Sequence, residues 1–95
     1  MPASIGLLEV EFLIPASQSL REKRRVVRSI KDKLRQRHNV SVAEVDHQEK
    51  LGRCHLAVLT VSSSRRDAEG RLTAAEELIS SNLEIQVIDR NLQWL

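Results

Sequence analysis

The hydrophobic period changes within residues 5–38, which read IGLLEVEFLIPASQSLREKRRVVRSIKDKLRQRH. Residues 5–14 alternate in the manner of a β-strand, and Pro15 ends that strand. Ser19 and Glu22 then have the spacing of a capping box, which predicts that a helix begins here. The apolar positions recur at helical spacing after Ser19, so we expect this first helix to continue to about His38.

The remaining sequence predicts three more strands and one more helix. The strands are residues 40–46 (VSVAEVD), 54–62 (CHLAVLTVS) and 83–89 (LEIQVID), and the pattern of residues 90–95 (RNLQWL) indicates no element. Ser64 and Asp67 have the spacing to cap a second helix, from about Arg65 to Ser81. The order βαββαβ with right-handed crossovers predicts one ferredoxin-like α+β domain over residues 1–95. Its two helices would cover one face of a four-stranded antiparallel sheet with the first and third strands in the centre.

Positive charge is concentrated in the first helix. Residues 21–37 hold nine of the fifteen Lys and Arg and only two acids, Glu22 and Asp32, so this segment carries +7. The whole chain is +2, so the remainder carries −5. At 100° per residue most of these cations align on one helix face, while Lys23 falls near the apolar side. Concentrated positive charge attracts polyanions, and the set predicted to bind nucleic acid is Arg21, Lys23, Arg24, Arg25, Arg28, Lys31 and Arg35.

A solvated helix surface is the alternative interpretation of this charge. However, the cations recur at i, i+3, i+4 and i+7. Like charges at these spacings destabilise a helix by about a few tenths of a kcal/mol per pair, roughly as much as opposite charges there would stabilise it. A surface that served only solubility would more naturally alternate the signs of its charges. The repulsion therefore favours a polyanionic partner such as RNA.

The sheet face that the helices leave open is a second candidate surface. Strand alternation places Glu9 and Glu11 there, and it also predicts Val42, Glu44 and Asp46 on this face. The third strand has no aromatic residue, so the face lacks the side chains on which RNA-binding sheets stack bases. The alternative function is a protein-interaction module that dimerises through this face and docks an acidic protein on the helix. Its predicted interface is Ile5, Leu7 and Leu13.

One histidine lies among acidic residues, in the segment AEVDHQ at residues 43–48. A histidine beside carboxylates could bind a metal or exchange protons. Strand alternation, however, points Asp46 and His47 to opposite faces, and neither His38 nor His55 has ligand spacing to His47. We therefore predict no catalytic residue, metal site, cofactor or small-molecule substrate. A ligand sensor or an enzyme that uses His47 and its carboxylates is the third hypothesis.

Cysteine usage and hydropathy indicate a cytoplasmic protein. Cys54 is the single cysteine and lies in an apolar run, so a buried, unreactive thiol in a reducing compartment is expected. No apolar stretch approaches the roughly 20 residues that span a bilayer, so no membrane association is expected. Glu9 and Glu11 interrupt the first apolar run and no basic segment precedes it, so we expect no signal peptide.

Residues 19–48, SLREKRRVVRSIKDKLRQRHNVSVAEVDHQ, carry a family resemblance. A strand ending at Ile14-Pro15, a helix start at Ser19 and the run from Asn39 to Gln48 resemble the signature of the YlxP-like family of bacterial proteins, domain-of-unknown-function family 503. The resemblance implies a ferredoxin-like fold and offers no catalytic residues to carry over. Members are commonly encoded beside translation and ribosome-maturation factors, which implies a role near the ribosome. The resulting expectation is a non-enzymatic protein that binds ribosomal RNA through its first helix.

Overall fold

A computed structural model describes residues 2–95 and has the predicted ferredoxin-like order of elements. The sheet order is β2-β3-β1-β4 with every neighbouring pair antiparallel, so β1 and β3 are central, as predicted. Both helices pack on one face of this sheet, and no helix in the described residues is long and apolar enough to cross a membrane. The elements are β1 Ser4–Leu13, α1 Leu20–Arg37, β2 Ser41–Asp46, β3 Arg53–Ser62, α2 Arg65–Ser80 and β4 Gln86–Trp94.

Both helices begin at the predicted caps. The Ser19 hydroxyl accepts a hydrogen bond from the Glu22 backbone N–H at 3.1 Å, and the Glu22 carboxylate accepts one from the Gln18 N–H at 2.8 Å. The Ser64 hydroxyl accepts in the same way from the Asp67 N–H at 3.1 Å. The two serine hydroxyls satisfy N–H groups that the first turn of a helix otherwise leaves without a partner, and the Glu22 carboxylate holds the residue before the cap.

The core lies between the helices and one face of the sheet. Every second residue of β1 from Leu8 to Phe12 is buried, as is Ile14 just after it, and so is every second residue of β3 from Cys54 to Val58. Burial raises the pKa of the Cys54 thiol, in agreement with the expected unreactive thiol. The helices close this core with an apolar stripe each, formed by Val26, Val27, Ile30 and Leu34 of α1 and by Ala68, Leu72, Ala75 and Ile79 of α2.

The fourth strand is present, but its predicted bounds are wrong. The alternating segment at residues 83–89 predicts a strand there, but Leu83 is fully exposed and the Glu84 N–H donates to the Asn82 side chain at 2.8 Å in a turn. The strand begins at Gln86 instead and continues through the segment for which the sequence indicated no element. It extends to Trp94 because it pairs with nearly the whole length of β1.

Gly6 makes room for the end of β4. A β-carbon at Gly6 would lie 2.6 Å from Leu72 Cδ1 and 2.9 Å from Trp94 Cζ3, so a larger residue must displace these side chains. The guanidinium carbon of Arg65 lies 4.0 Å from the centre of the indole ring and covers its outer side. Trp94 therefore fixes the last residues of the chain against α2 and β1.

The predicted faces of Val42 and Glu44 in β2 are also wrong, whereas the predicted face of Asp46 is confirmed. Val42 and Glu44 pair with Val58 and Leu56, which point into the core, so both lie on the helix side of the sheet. The register then shifts at a bulge between Glu44 and Asp46, and Asp46 lies opposite His55 on the open face. The short segment SVAEVD has too few apolar residues for its alternation alone to fix its faces. In the structure Val42 is buried in the core and Glu44 pairs with the buried Lys23 of α1.

Candidate nucleic-acid interface

Four cations form an unpaired stripe along α1. Arg21, Arg24 and Arg28 are exposed and Lys31 is partly exposed. Steps of three, four and three residues separate them, which keeps them on one side of the helix over about 15 Å. None of the four forms an ion pair with any residue between 2 and 95. We call Arg21, Arg24, Arg28 and Lys31 the basic stripe.

Two further predicted cations lie beside the stripe and already have partners. Arg25 Nη2 lies 2.7 Å from Glu84 Oε2; this hydrogen-bonded pair raises the pKa of Arg25 and lowers that of Glu84. Arg35 donates to the Val42 carbonyl at 3.0 Å and lies 4.0 Å from Asp32. Exposed ion pairs are weak and exchange with other anions. Both arginines thus lie beside the basic stripe, and their contacts with Glu84 and Asp32 are of this exposed kind.

The assignment of Lys23 to the nucleic-acid interface is wrong. Its side chain is 2 % exposed, and Nζ lies 3.0 Å from Glu44 Oε2 and also donates to the His47 carbonyl. In this arrangement the ammonium group is not exposed to a phosphate. Lys23 follows the spacing of the buried stripe, four residues before Val27 and seven before Ile30. It is therefore a core residue whose charge is neutralised inside the protein.

The predicted interface residues lie at two ends of the open face. Ile5 and Leu7 pair with Val61 and Leu59, of which Val61 is 56 % and Leu59 39 % exposed. Leu13 lies six residues further along β1, about 20 Å away at the rise of a strand. Two paired carboxylates separate it from the other two residues. The apolar patch therefore consists of Ile5, Leu7, Leu59 and Val61, and we call it the apolar end of the sheet.

The middle of the open face holds a compact group of carboxylates and cations. Glu9 Oε1 lies 3.0 Å from His55 Nε2, and Glu11 Oε1 lies 2.7 Å from Arg53 Nε and 3.3 Å from His47 Nε2. The His47 N–H donates to the Asp46 carboxylate at 2.8 Å, which lowers the pKa of Asp46. Arg53 therefore balances the charge of Glu11, and each glutamate of this face also has a histidine nitrogen within contact distance.

The prediction that His55 has no ligand spacing to His47 is wrong. Their ring centres are 6.4 Å apart, because the β2–β3 hairpin folds back on itself around residue 50 and brings both rings to the open face. The signal was present in the sequence: pairing residues 40–46 with 54–62 through a short turn makes positions 47 and 55 neighbours. The spacing of the two histidines along the chain does not by itself show that they are neighbours.

Comparisons with known proteins identify the family of the chain. The family model described as "Protein of unknown function (DUF503)" matches residues 5–92. The chain belongs to this family. It is also 33 % identical over 90 residues to the "Uncharacterized protein YlxP" of Bacillus subtilis (strain 168), an alignment that covers 95 % of this chain and 98 % of the relative. The resemblance noted from residues 19–48 is thereby confirmed.

Neither comparison names an activity. The family description and the name of the relative assign no ligand, reaction or partner. A role for this DUF503 protein must therefore be argued from the charge, exposure and pairing of its own side chains.

Proposed function

We propose that this DUF503 protein is a non-enzymatic, cytoplasmic RNA-binding protein that contacts ribosomal RNA during ribosome maturation. The contacts would be made by the basic stripe of α1, with Arg25 and Arg35 assisting. The observation that carries the proposal is that Arg21, Arg24, Arg28 and Lys31 lie on one helix side without an anionic partner in residues 2–95.

In the free protein the cations of the basic stripe repel one another. Like charges three or four residues apart destabilise a helix by about 0.2–0.5 kcal/mol per pair. The buried ion pair of Lys23 and the surface pair of Arg25 show that other cations of α1 do find anions. A polyanion laid along the basic stripe would remove the repulsion and release its own counterions, which drives association.

The open face supports phosphate contact by α1 rather than base reading by the sheet. One end of that face is apolar, with Ile5, Leu7, Leu59 and Val61, and its middle holds carboxylates in contact with Arg53 and with histidines. Neither group offers a Phe, Tyr or Trp ring on which a base can stack. We therefore expect affinity that depends strongly on salt and weakly on sequence.

The test is a salt titration of binding to ribosomal RNA. With four phosphate contacts, log K should fall with log salt concentration with a slope of about −3, from the ~0.7–0.9 counterions released per contact. Arg24→Glu/Arg28→Glu should abolish binding while the circular dichroism spectrum remains that of the folded protein. Arg24 and Arg28 are exposed and unpaired, so the fold does not need them.

Lys50→Glu/Arg66→Glu is the matched control. Both residues are exposed and outside α1. The control variant and the stripe variant each change the net charge of the chain from +2 to −2, so they differ only in where the charge is reversed. Retained binding in the control with loss in the stripe variant would support the proposal. Equal loss in both would show that net charge alone acts, and no binding by the unmodified protein at low salt would refute RNA binding.

A second candidate function is self-association through the apolar end of the sheet. The supporting observation is the exposure of Leu59 and Val61 directly beside Ile5 and Leu7 on a face that no helix covers. Apolar side chains grouped in this way commonly mark contact surfaces.

A further inference from the structure

We propose that Glu11, His47 and His55 bind a divalent transition-metal ion, for which Zn²⁺ is the best-suited candidate. Each residue offers one ligand atom, and the three atoms lie within 4.8 Å of one another. They come from three separate segments: Glu11 from β1, His55 from β3 and His47 from the turn between β2 and β3. We call these three residues the His–Glu cluster.

One pair of ligand atoms already has the spacing of a zinc site, and all three lie within 4.8 Å of one another. Zinc binds His and carboxylate ligands at about 2.0–2.2 Å, so two ligands of a tetrahedral ion lie roughly 3.3–3.6 Å apart. His47 Nε2 and Glu11 Oε1 are 3.3 Å apart. His55 pairs with Asp46 across β2 and with Glu11 across β1, so its ring needs only a side-chain adjustment to complete the set.

The backbone holds His47 in an uncommon conformation. Its φ of 64° lies in the left-handed region, where a non-glycine residue is strained. Three contacts maintain this turn: the His47 carbonyl accepts from Lys23 Nζ and from the Lys50 N–H, and the His47 N–H donates to the Asp46 carboxylate. The turn directs the imidazole back over the sheet, where His55 and Glu11 lie.

The donor types suit a borderline transition metal. Two imidazoles and one carboxylate are a ligand set that zinc and related ions use, whereas Mg²⁺ and Ca²⁺ prefer oxygen ligands only. The one thiol in the chain, Cys54, pairs with Phe12 on the opposite, buried face of the sheet and does not contribute. Since the cluster lies at the surface, water could fill a fourth position.

Neighbouring carboxylates can orient both imidazoles. Asp46 Oδ1 lies 3.8 Å from His47 Nδ1, on the side of the ring away from Glu11, and Glu9 Oε1 lies 3.0 Å from His55 Nε2. Carboxylates in such positions fix the ring and increase its basicity towards a metal. Arg53, 2.7 Å from Glu11, balances the carboxylate charge in the ion-free protein and would share Glu11 with the metal.

The experiment is calorimetric titration of the full chain, without a polyhistidine tag, with Zn²⁺ alone at pH 7.5. We expect one ion per chain and an increase in melting temperature, because an ion that binds only the folded state stabilises it. Three single substitutions should each weaken Zn²⁺ binding by at least about tenfold: His47→Ala, His55→Ala and Glu11→Gln. Removing a residue that only orients a metal ligand already weakens binding by about that factor, so removing a ligand itself should cost no less.

His38→Ala is the matched control, since His38 lies at the end of α1, outside the cluster. Its binding should equal that of the unmodified protein. Glu11→Gln keeps the shape of the side chain, so it serves as the test variant if an alanine variant fails to fold. No Zn²⁺ binding by the unmodified protein, or equal binding in the His38, His47 and His55 variants, would overturn the site.

Discussion

A substitution at Lys23 tests whether the charge of this residue stabilises the fold, in contrast to the exposed cations of α1. Its ammonium group is buried against Glu44 at 3.0 Å, whereas the exposed cations of the basic stripe have no such partner. Lys23→Met removes the charge and keeps a long, flexible side chain. Glu44 Oε2 is then left buried without a cation, and no hydrogen bond from residues 2–95 compensates it.

The expected loss of stability is large for a single substitution. Removing one partner of a buried ion pair costs about 3–5 kcal/mol. The Glu44 side chain remains 18 % exposed and can regain some hydration, so we expect the lower end, about 3 kcal/mol. In a domain of this size each kcal/mol lowers the melting temperature by ~4–8 °C, which gives a decrease of roughly 12–24 °C.

The assay is urea denaturation followed by circular dichroism, with Lys33→Met as the control. Lys33 is an exposed lysine of the same helix without an ion pair in the described residues, so its substitution should change stability by less than about 0.5 kcal/mol. Lys23→Met/Glu44→Met should recover most of the loss, because an apolar pair can replace a buried ion pair. The His47 carbonyl keeps its hydrogen bond from the Lys50 N–H in both variants.

Two outcomes would refute this reasoning about Lys23. One is a Lys23→Met protein as stable as Lys33→Met. The other is a shallower salt dependence of RNA binding in folded Lys23→Met, since that would mean that Lys23 contacts phosphate.

The remaining predictions concern Gly6 and the apolar end of the sheet. Gly6→Ala should destabilise the protein by about 1–3 kcal/mol in urea denaturation, because its β-carbon would overlap Leu72 and Trp94; Gly70→Ala, which meets no atom within 4 Å, should stabilise it by about 0.5–1 kcal/mol. Equal effects would contradict the packing argument. Leu59→Asp should reduce a dimer to the mass of one chain in light scattering, whereas Leu83→Asp, at an exposed leucine outside the patch, should not; an unmodified protein that is already monomeric would rule out self-association.

The elements that the sequence predicts well have local causes. The caps at Ser19 and Ser64 act within three residues, and the apolar stripe of α1 repeats at helical spacing, so both can be recognised without the rest of the chain. The alternation of β1 and β3 is equally local, and the sheet order follows from right-handed crossovers. These features were sufficient to predict the ferredoxin-like fold.

The errors arise where a distant partner decides the structure. The end of β4 is a strand because it pairs with β1 and packs Trp94 over Gly6, and neither partner is near it in sequence. The faces of β2 depend on Lys23, which draws Glu44 towards the helices. The meeting of His47 with His55 depends on the register of a hairpin with a bulge. Each of these follows from which segments pair with one another, and spacing along the chain alone does not show that pairing.

The same principle explains why the cations of α1 have two roles. Arg21, Arg24 and Arg28 follow one helical spacing and point to solvent, whereas Lys23 follows the spacing of the core and points inward. Its contact with the His47 carbonyl ties α1 to the turn that positions one member of the His–Glu cluster. The basic stripe and the His–Glu cluster lie on opposite sides of the sheet, so RNA and a metal ion would not compete for space. Lys23 is the structural link between them, and its charge is used to hold that link rather than to bind a ligand.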